Sequence, residues 1–260
     1  MKNARVLVMG GISESARLAR GLLEMGFEVL VSRATRVPQV ENQAPGLSFR
    51  SGPLDQEGLE KLARDQKVSM IIDCTHPYAA LASKNACNAA LTLGLPFLVY
   101  DRPGLDPDTP GIEWALDHSS AADLALARNK TVFLSIGSGN VGVYAEKAGD
   151  RVSMLIARVL PGGEFLEKCQ DAGLGKDQVI QARGPFDVRE NILHMSGAGV
   201  LVTKDSGPAG GVPAKLEAAR SLGMEVIVVS RPPRAGDFIF SRVEDLLAAV
   251  PDTFLDLKHG

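Results

Sequence analysis

This chain is short of cysteine, of basic surplus and of long apolar runs, and each shortage closes off a class of protein. Of 260 residues only three are cysteine, Cys74, Cys87 and Cys169. An odd count at wide spacing supports neither a disulfide framework nor a Cys-x-x-Cys metal pair, and no metal site is expected. Lys and Arg number 28 against 31 Asp and Glu, a formal net charge of -3. With no basic run or face, nucleic acid is not an expected partner. The small acidic surplus still allows an anionic ligand, provided Lys and Arg gather locally. No apolar run approaches the roughly 18 residues of a membrane-spanning helix, so no membrane partner is expected either. Residues 1–9 already read as a strand, and Lys2 and Arg5 make them too charged for a signal peptide. The expected location is the cytoplasm. No heptad pattern is present, which leaves the oligomeric state open.

What is present is globular. Hydrophobic residues make up 45% and charged residues 23%, enough for one large domain or two small ones with proper cores. Short β-rich runs alternate with helical stretches. Residues 5–9 form a continuous apolar run, as a strand covered on both faces requires. Gly10-Gly11 interrupts it, and residues 13–25 read as a helix with Leu18 and Leu22 on one face and Gly26 as the stop. Strands are predicted at 27–31, 48–51, 69–74 and 96–100, with helices between. Residues 102–117, with Pro103, Pro107 and Pro110, read as a linker. A second series follows, with strands predicted at 131–136, 152–157, 179–182, 200–203 and 225–230 and a clear helix at 209–222. Strand–helix–strand repetition implies parallel strands with right-handed crossovers. The expectation is therefore an α/β protein of two similar domains, residues 1–115 and 116–260.

Three places carry candidate chemistry. The first is Gly10-Gly11-Ile12-Ser13-Glu14, between a strand and a helix. Such a turn lets backbone approach a pyrophosphate, and the helix N-terminus offers N–H groups and a favourable dipole. It lacks the full Gly-x-Gly-x-x-Gly pattern, so an ordinary βα turn fits the letters as well. The second strand ends in Ser32-Arg33-Ala34-Thr35-Arg36, without the acid that would hold a ribose 2′-hydroxyl. Two arginines there could hold a 2′-phosphate, which favours NADPH and leaves NADH open.

The second place is Asp73-Cys74-Thr75-His76-Pro77-Tyr78-Ala79, where a strand gives way to a helix. Ligands bind at this carboxyl edge of parallel sheets. Cys74, Thr75 and His76 are candidate cofactor contacts, and His76 and Tyr78 candidate proton donors. The third comprises Gly137-Ser138, and the run from Lys204-Asp205-Ser206-Gly207 to Lys215. Its lysines could neutralise carboxylates and its amides cradle an anion. A Lys204–Asp205 pair capping the helix fits the letters too.

Together, residues 10–15, residues 73–79 and the run from Val202 through Lys215 to Ala219 resemble the precorrin-6A reductase family of cobalamin biosynthesis, including its cobalt-precorrin-6A members. They span most of the chain in the family's order. Ile12, Ser15 and Cys74 stand where Thr, Ala and Ala are common. The resemblance implies two Rossmann-like parallel-sheet domains with a cleft between them and a strand that could be exchanged. The N-terminal domain would bind the dinucleotide and the C-terminal domain the substrate. It implies hydride transfer from NADPH, or NADH in some members, to C19 of an anionic tetrapyrrole, with a proton added at the neighbouring carbon. Gly137, Ser138, Arg183, Lys204, Asp205, Ser206, Gly207 and Lys215 would then face the substrate's acetate and propionate arms. Two other readings fit the letters: a non-catalytic NAD(P)-binding sensor, and a reductase of another anionic small molecule.

Overall fold

The structure, a computed structural model, describes residues 4–34 and 44–256. The chain forms β1 (Arg5–Met9), α1 (Glu14–Glu24), β2 (Glu28–Arg33), β3 (Leu47–Ser51), α2 (Gln56–Asp65), β4 (Val68–Asp73), α3 (Ala80–Leu93) and β5 (Phe97–Tyr100). It continues with β6 (Ile112–Ala115), α4 (His118–Ala127), β7 (Val132–Ser135), α5 (Val141–Ala148), β8 (Leu155–Val159), α6 (Gly163–Asp171), β9 (Val179–Gln181), α7 (Val188–Met195), β10 (Val200–Lys204), α8 (Val212–Ser221) and β11 (Glu225–Val229). It closes with β12 (Ile239–Phe240) and α9 (Val243–Asp256).

Two six-stranded parallel sheets result, ordered β12-β5-β4-β1-β2-β3 and β6-β11-β10-β7-β8-β9. Each has a doubly wound plan in which the strand order reverses in the middle of the sheet. The reversal falls between β1 and β4 in the first sheet and between β7 and β10 in the second. β1 explains why its run is unbroken. Val6 and Val8 pack with Leu18, Leu22, Leu246 and Val250 on one face. Leu7 and Met9 pack with Leu59, Ala63, Ala86 and Ala90 on the other. With both faces covered, no polar alternation is possible. In the second sheet Phe133 and Leu201 pack with Met195, Ala218 and Ala219.

The chain divides into two compact units, but not at residue 115. One is Met1–Pro103 with Pro232–Gly260, the other Gly104–Arg231. Two pairings cause the difference. Ile239 and Phe240 pair with Val99 and Tyr100, so the C-terminal stretch returns to the first sheet. Ile112–Ala115, read as linker from its prolines, pairs with Val226–Val229 and so belongs to the second. The strand expected from residue 152 begins at Leu155, because residues 149–154 form tight 3₁₀ turns first. Among the described residues no helix is long and apolar enough to cross a membrane, and no group of three His, Cys, Asp or Glu side chains could hold a metal ion.

The C-terminal helix seals the first core through Leu246, which is fully buried. Leu246→Ala is expected to cost about 2–5 kcal/mol by emptying that site. Equilibrium urea unfolding would register it, and an unchanged midpoint would show that α9 does not close the core.

Candidate active site

The first site lies at the reversal point of the first sheet. A cavity of about 540 Å³ opens there, lined by Met9 to Ser13 at the end of β1 and the turn beyond it, Ser32 to Ala34 at the end of β2, and Thr75 and His76 after β4. Gly10 donates its N–H to Ser32 O at 2.8 Å. A Cβ at Gly10 would sit 3.0 Å from Val31 Cγ1, and one at Gly11 3.5 Å from the His76 backbone nitrogen. Gly10 thus lets β1 and β2 end close together, while a Cβ at Gly11 would make only ordinary contact with the β4 turn. Ser13 makes no side-chain cap to α1, and the N–H groups of Gly11, Ile12 and Ser13 meet no backbone acceptor among the described residues. Free donors at a helix start beside a cavity of this size fit a nucleotide pyrophosphate.

The β4–α3 turn is held from beneath. Asp73, fully buried, accepts the Thr75 N–H at 3.0 Å and the Ser83 hydroxyl at 2.5 Å. Arg234 lies 3.4 Å from its carboxylate. The Arg234 guanidinium also donates to the Thr75 hydroxyl and to the carbonyls of Thr75, His76 and Tyr100 at 3.3–3.5 Å. His76 is half-buried, and its Nδ1 accepts the Tyr78 N–H at 3.3 Å. In the neutral ring the proton then belongs on Nε2. The Tyr78 ring is tilted against His76, centroids 5.7 Å apart. Ser32 is buried and its hydroxyl accepts from Arg50 at 2.9 Å, while Arg33 lies over the Phe49 ring at 5.1 Å.

The Cys74 thiol is buried in the apolar core and pushed up to about 12, chiefly by burial and then by Asp73; it does not line the cavity. Glu14 pairs with buried Arg102 at 3.6 Å. Thr35 and Arg36 lie outside the described residues.

The second site occupies the corresponding edge of the second sheet. Gly137, at φ 82°, opens the 3₁₀ turn of Ser138–Asn140 after β7. After β10 the chain turns through buried Asp205, Ser206 and Gly207. Asp205 accepts the Leu105 and Gly207 N–H groups at 3.0 and 3.3 Å and pairs with Arg231 at 3.0 Å, so it braces the loop. Gly207 and Gly211 adopt φ of 69° and 73°, the left-handed region that favours glycine. Lys204 ends β10, and burial pulls its ammonium down. Lys215 on α8 donates to Thr203 Oγ1 at 3.3 Å. Burial, then the charges of Arg158 and Lys204, lower it to about 8. His118 is lowered to about 4, by burial and then by Lys204, so it is neutral at pH 7. Arg183 is exposed on the segment after β9.

Sequence reasoning passed over Arg234 and Arg158. Arg158 had a signal, a single charge inside the apolar run Leu155–Val159. Arg234 had only its place after two prolines, because its partners, Asp73 to Asp101, are more than 130 residues away in the chain.

Fold and sites define a double-sheet α/β protein with a nucleotide-type glycine turn in one unit and a cationic strand edge in the other. A family model described as Precorrin-6x reductase CbiJ/CobK matches residues 5–251. The chain is 30% identical over 248 residues to the cobalt-precorrin-6A reductase of Priestia megaterium, covering 94% of this chain and 97% of that one. It is 34% identical to the precorrin-6A reductase of Rhodococcus erythropolis, covering 88% and 90%. A solved structure titled CobK precorrin-6A reductase superposes with a TM-score of 0.76 at 29% identity, covering 96% and 97%. The chain belongs to the precorrin-6x reductase family, and is an oxidoreductase of the precorrin-6A reductase type in cobalamin biosynthesis.

Lys215 offers a stability test. Its folded pKa of about 8 lies below the ordinary 10.5, so the folded state bears the cost of the buried charge at and below pH 8. The cost is relieved as pH rises towards 10.5, where the unfolded chain still holds the proton. Lys215→Met should therefore raise stability at pH 7 by on the order of 1–2 kcal/mol. Thermal melts at pH 7 to 10 should show the gap over wild type narrowing; a constant gap would contradict the depressed pKa.

Proposed function

We propose that the chain reduces precorrin-6A, with or without cobalt, using a nicotinamide cofactor bound in the first unit. The second unit takes the tetrapyrrole's carboxylate arms. The observation that carries this reading is the set of N–H groups at Gly11, Ile12 and Ser13 that meet no backbone acceptor among the described residues, beside the cavity lined by Thr75 and His76. The cofactor, when bound, supplies the hydride to C19. The chain's own work is binding, orientation and proton handling. Gly10 to Ser13 hold the pyrophosphate, with Glu14 steadied by Arg102. Ser32, Arg33 and Ala34 line the end of the cavity after β2, and Arg33 there favours a 2′-phosphate, hence NADPH over NADH. Thr75 and His76 form the floor where the turn is clamped by Arg234. His76 and Tyr78, their rings 5.7 Å apart at this turn, are the groups placed to supply the proton for the neighbouring carbon, directly or through a water. In the second unit Gly137, Ser138, Lys204, Lys215 and the amides of residues 205–207 receive the acetate and propionate arms, and exposed Arg183 meets a peripheral one. A cytoplasmic location completes the reading.

Purified protein supplied with NADPH or NADH and either form of precorrin-6A should oxidise the cofactor while the macrocycle absorbance shifts. No turnover with any of the four combinations would sink the proposal. Lys204→Ala is expected to abolish turnover while leaving nicotinamide affinity unchanged, which separates a reductase from a cofactor-binding sensor. Arg33→Ala should raise KM for NADPH about tenfold and leave KM for NADH within a factor of two; equal effects on both would remove the 2′-phosphate from the reading.

A further inference from the structure

The geometry points to Arg158 as the principal anchor for one carboxylate arm of the tetrapyrrole, with Lys215 beside it as a second donor; this rests on the reductase reading above. Three other largely buried arginine side chains among the described residues each face an acid. Arg234 has Asp73, Arg102 has Glu14 and Arg231 has Asp205. Arg158, 6% exposed, has none within ion-pair distance among the described residues. Its partners are neutral. Nη1 donates to Asn191 Oδ1 at 2.9 Å and to His194 Nδ1 at 3.1 Å, and Nη2 to Ser135 Oγ at 3.3 Å. The guanidinium plane is fixed by Phe186 at 4.3 Å and Phe133 at 5.4 Å.

The arrangement is pre-organised. Asn191 donates its own amide to the Phe186 and Asp187 carbonyls at 3.2 and 2.8 Å, which holds Oδ1 towards Arg158. His194 must offer a lone pair at Nδ1, since arginine only donates. Three of the five guanidinium N–H groups are thereby occupied. The Nε–H and one Nη2–H have no partner among the described residues, and Nε and Nη2 share the guanidinium edge that can bind a carboxylate in bidentate fashion.

The surroundings add to the case. Arg158 bonds Ser135 and Lys215 bonds Thr203, and these two residues are register partners on β7 and β10, which sets the two cations side by side; the charge of Arg158 weakens the hold of Lys215 on its proton. The only side-chain bond of Lys215 among the described residues is to Thr203 Oγ1. Holding Arg158 and Lys215 close together out of water is costly, and an entering carboxylate lowers the cost. A tetrapyrrole rich in acetate and propionate arms is such a ligand. Glu190 on α7 acts on Arg158 only through its field.

The test is steady-state kinetics with the full chain, beside equilibrium binding of precorrin-6A by absorbance titration without nicotinamide. Arg158→Met should raise the tetrapyrrole KM and Kd at least tenfold, with KM for the nicotinamide unchanged and kcat reduced by less. Arg158→Lys, which keeps charge but loses the fork, should recover part of the affinity. If Arg158→Met does not fold, Lys215→Met carries the same measurement and should raise the same constants severalfold. Unchanged tetrapyrrole constants in whichever variant folds would overturn the anchor while leaving the reductase reading intact. Wild-type binding without turnover would sink the reductase reading, and the titration of the variants would still decide the anchor. Absence of any tetrapyrrole binding to wild type would overturn both.

Discussion

Asp73 ends a strand inside the protein, where an unpaired carboxylate would cost several kcal/mol. Its two oxygens are met by the Thr75 N–H, the Ser83 hydroxyl and Arg234. Arg234 comes from the segment that returns to the first sheet after the whole second unit has been made. One buried pair therefore joins three things. It places the Thr75–His76 turn against Gly11, it anchors the chain's return, and it precedes β12 and α9, which complete the sheet and its core. The cavity floor cannot form correctly until residues some 160 positions apart have met. Such a link has a high loop-closure cost, and the packing of α9 on α1 and β1 offsets it.

The two sheets share a plan and differ in what their carboxyl edges offer. In the first, the edge is built from backbone: a glycine turn, uncapped helix N–H groups and a half-buried imidazole. In the second it is built from long cationic side chains, Arg158, Lys204 and Lys215, with His118 and His194 kept neutral beside them by burial. Backbone donors suit a pyrophosphate held close to the strand ends. Extended side chains suit acid groups displayed on arms around a macrocycle. The same architecture thus presents two different kinds of edge, because sites, not folds, carry chemistry.

Charge balance separates structural from receptive groups. Asp73–Arg234, Glu14–Arg102 and Asp205–Arg231 are closed pairs that hold turns and loops in place. The Arg158–Lys215 neighbourhood is open, and its depressed lysine records the cost of leaving it so. Natural chains retain such a cost where a ligand removes it.

The sequence by itself determined the α/β class, the parallel sheets and the positions of the glycine turn, the Thr75-His76 edge and the Lys204 loop. All of these are local: apolar runs covered on both faces, helix stops at glycine, and turns where strands end. Tertiary structure alone decided where the units divide. A two-residue strand at Ile239–Phe240 has too few letters to be read, a helix carrying Pro251 inside it reads as broken, and Ile112–Ala115 looks like linker until Val226–Val229 pairs with it. It also decided which polar residues serve the sites. Cys74 lies beside Thr75 in the chain but points into the core, since successive residues at a strand end face opposite sides. Arg158 and Arg234 gain their meaning only from partners far away in sequence, and no spacing rule reaches that distance.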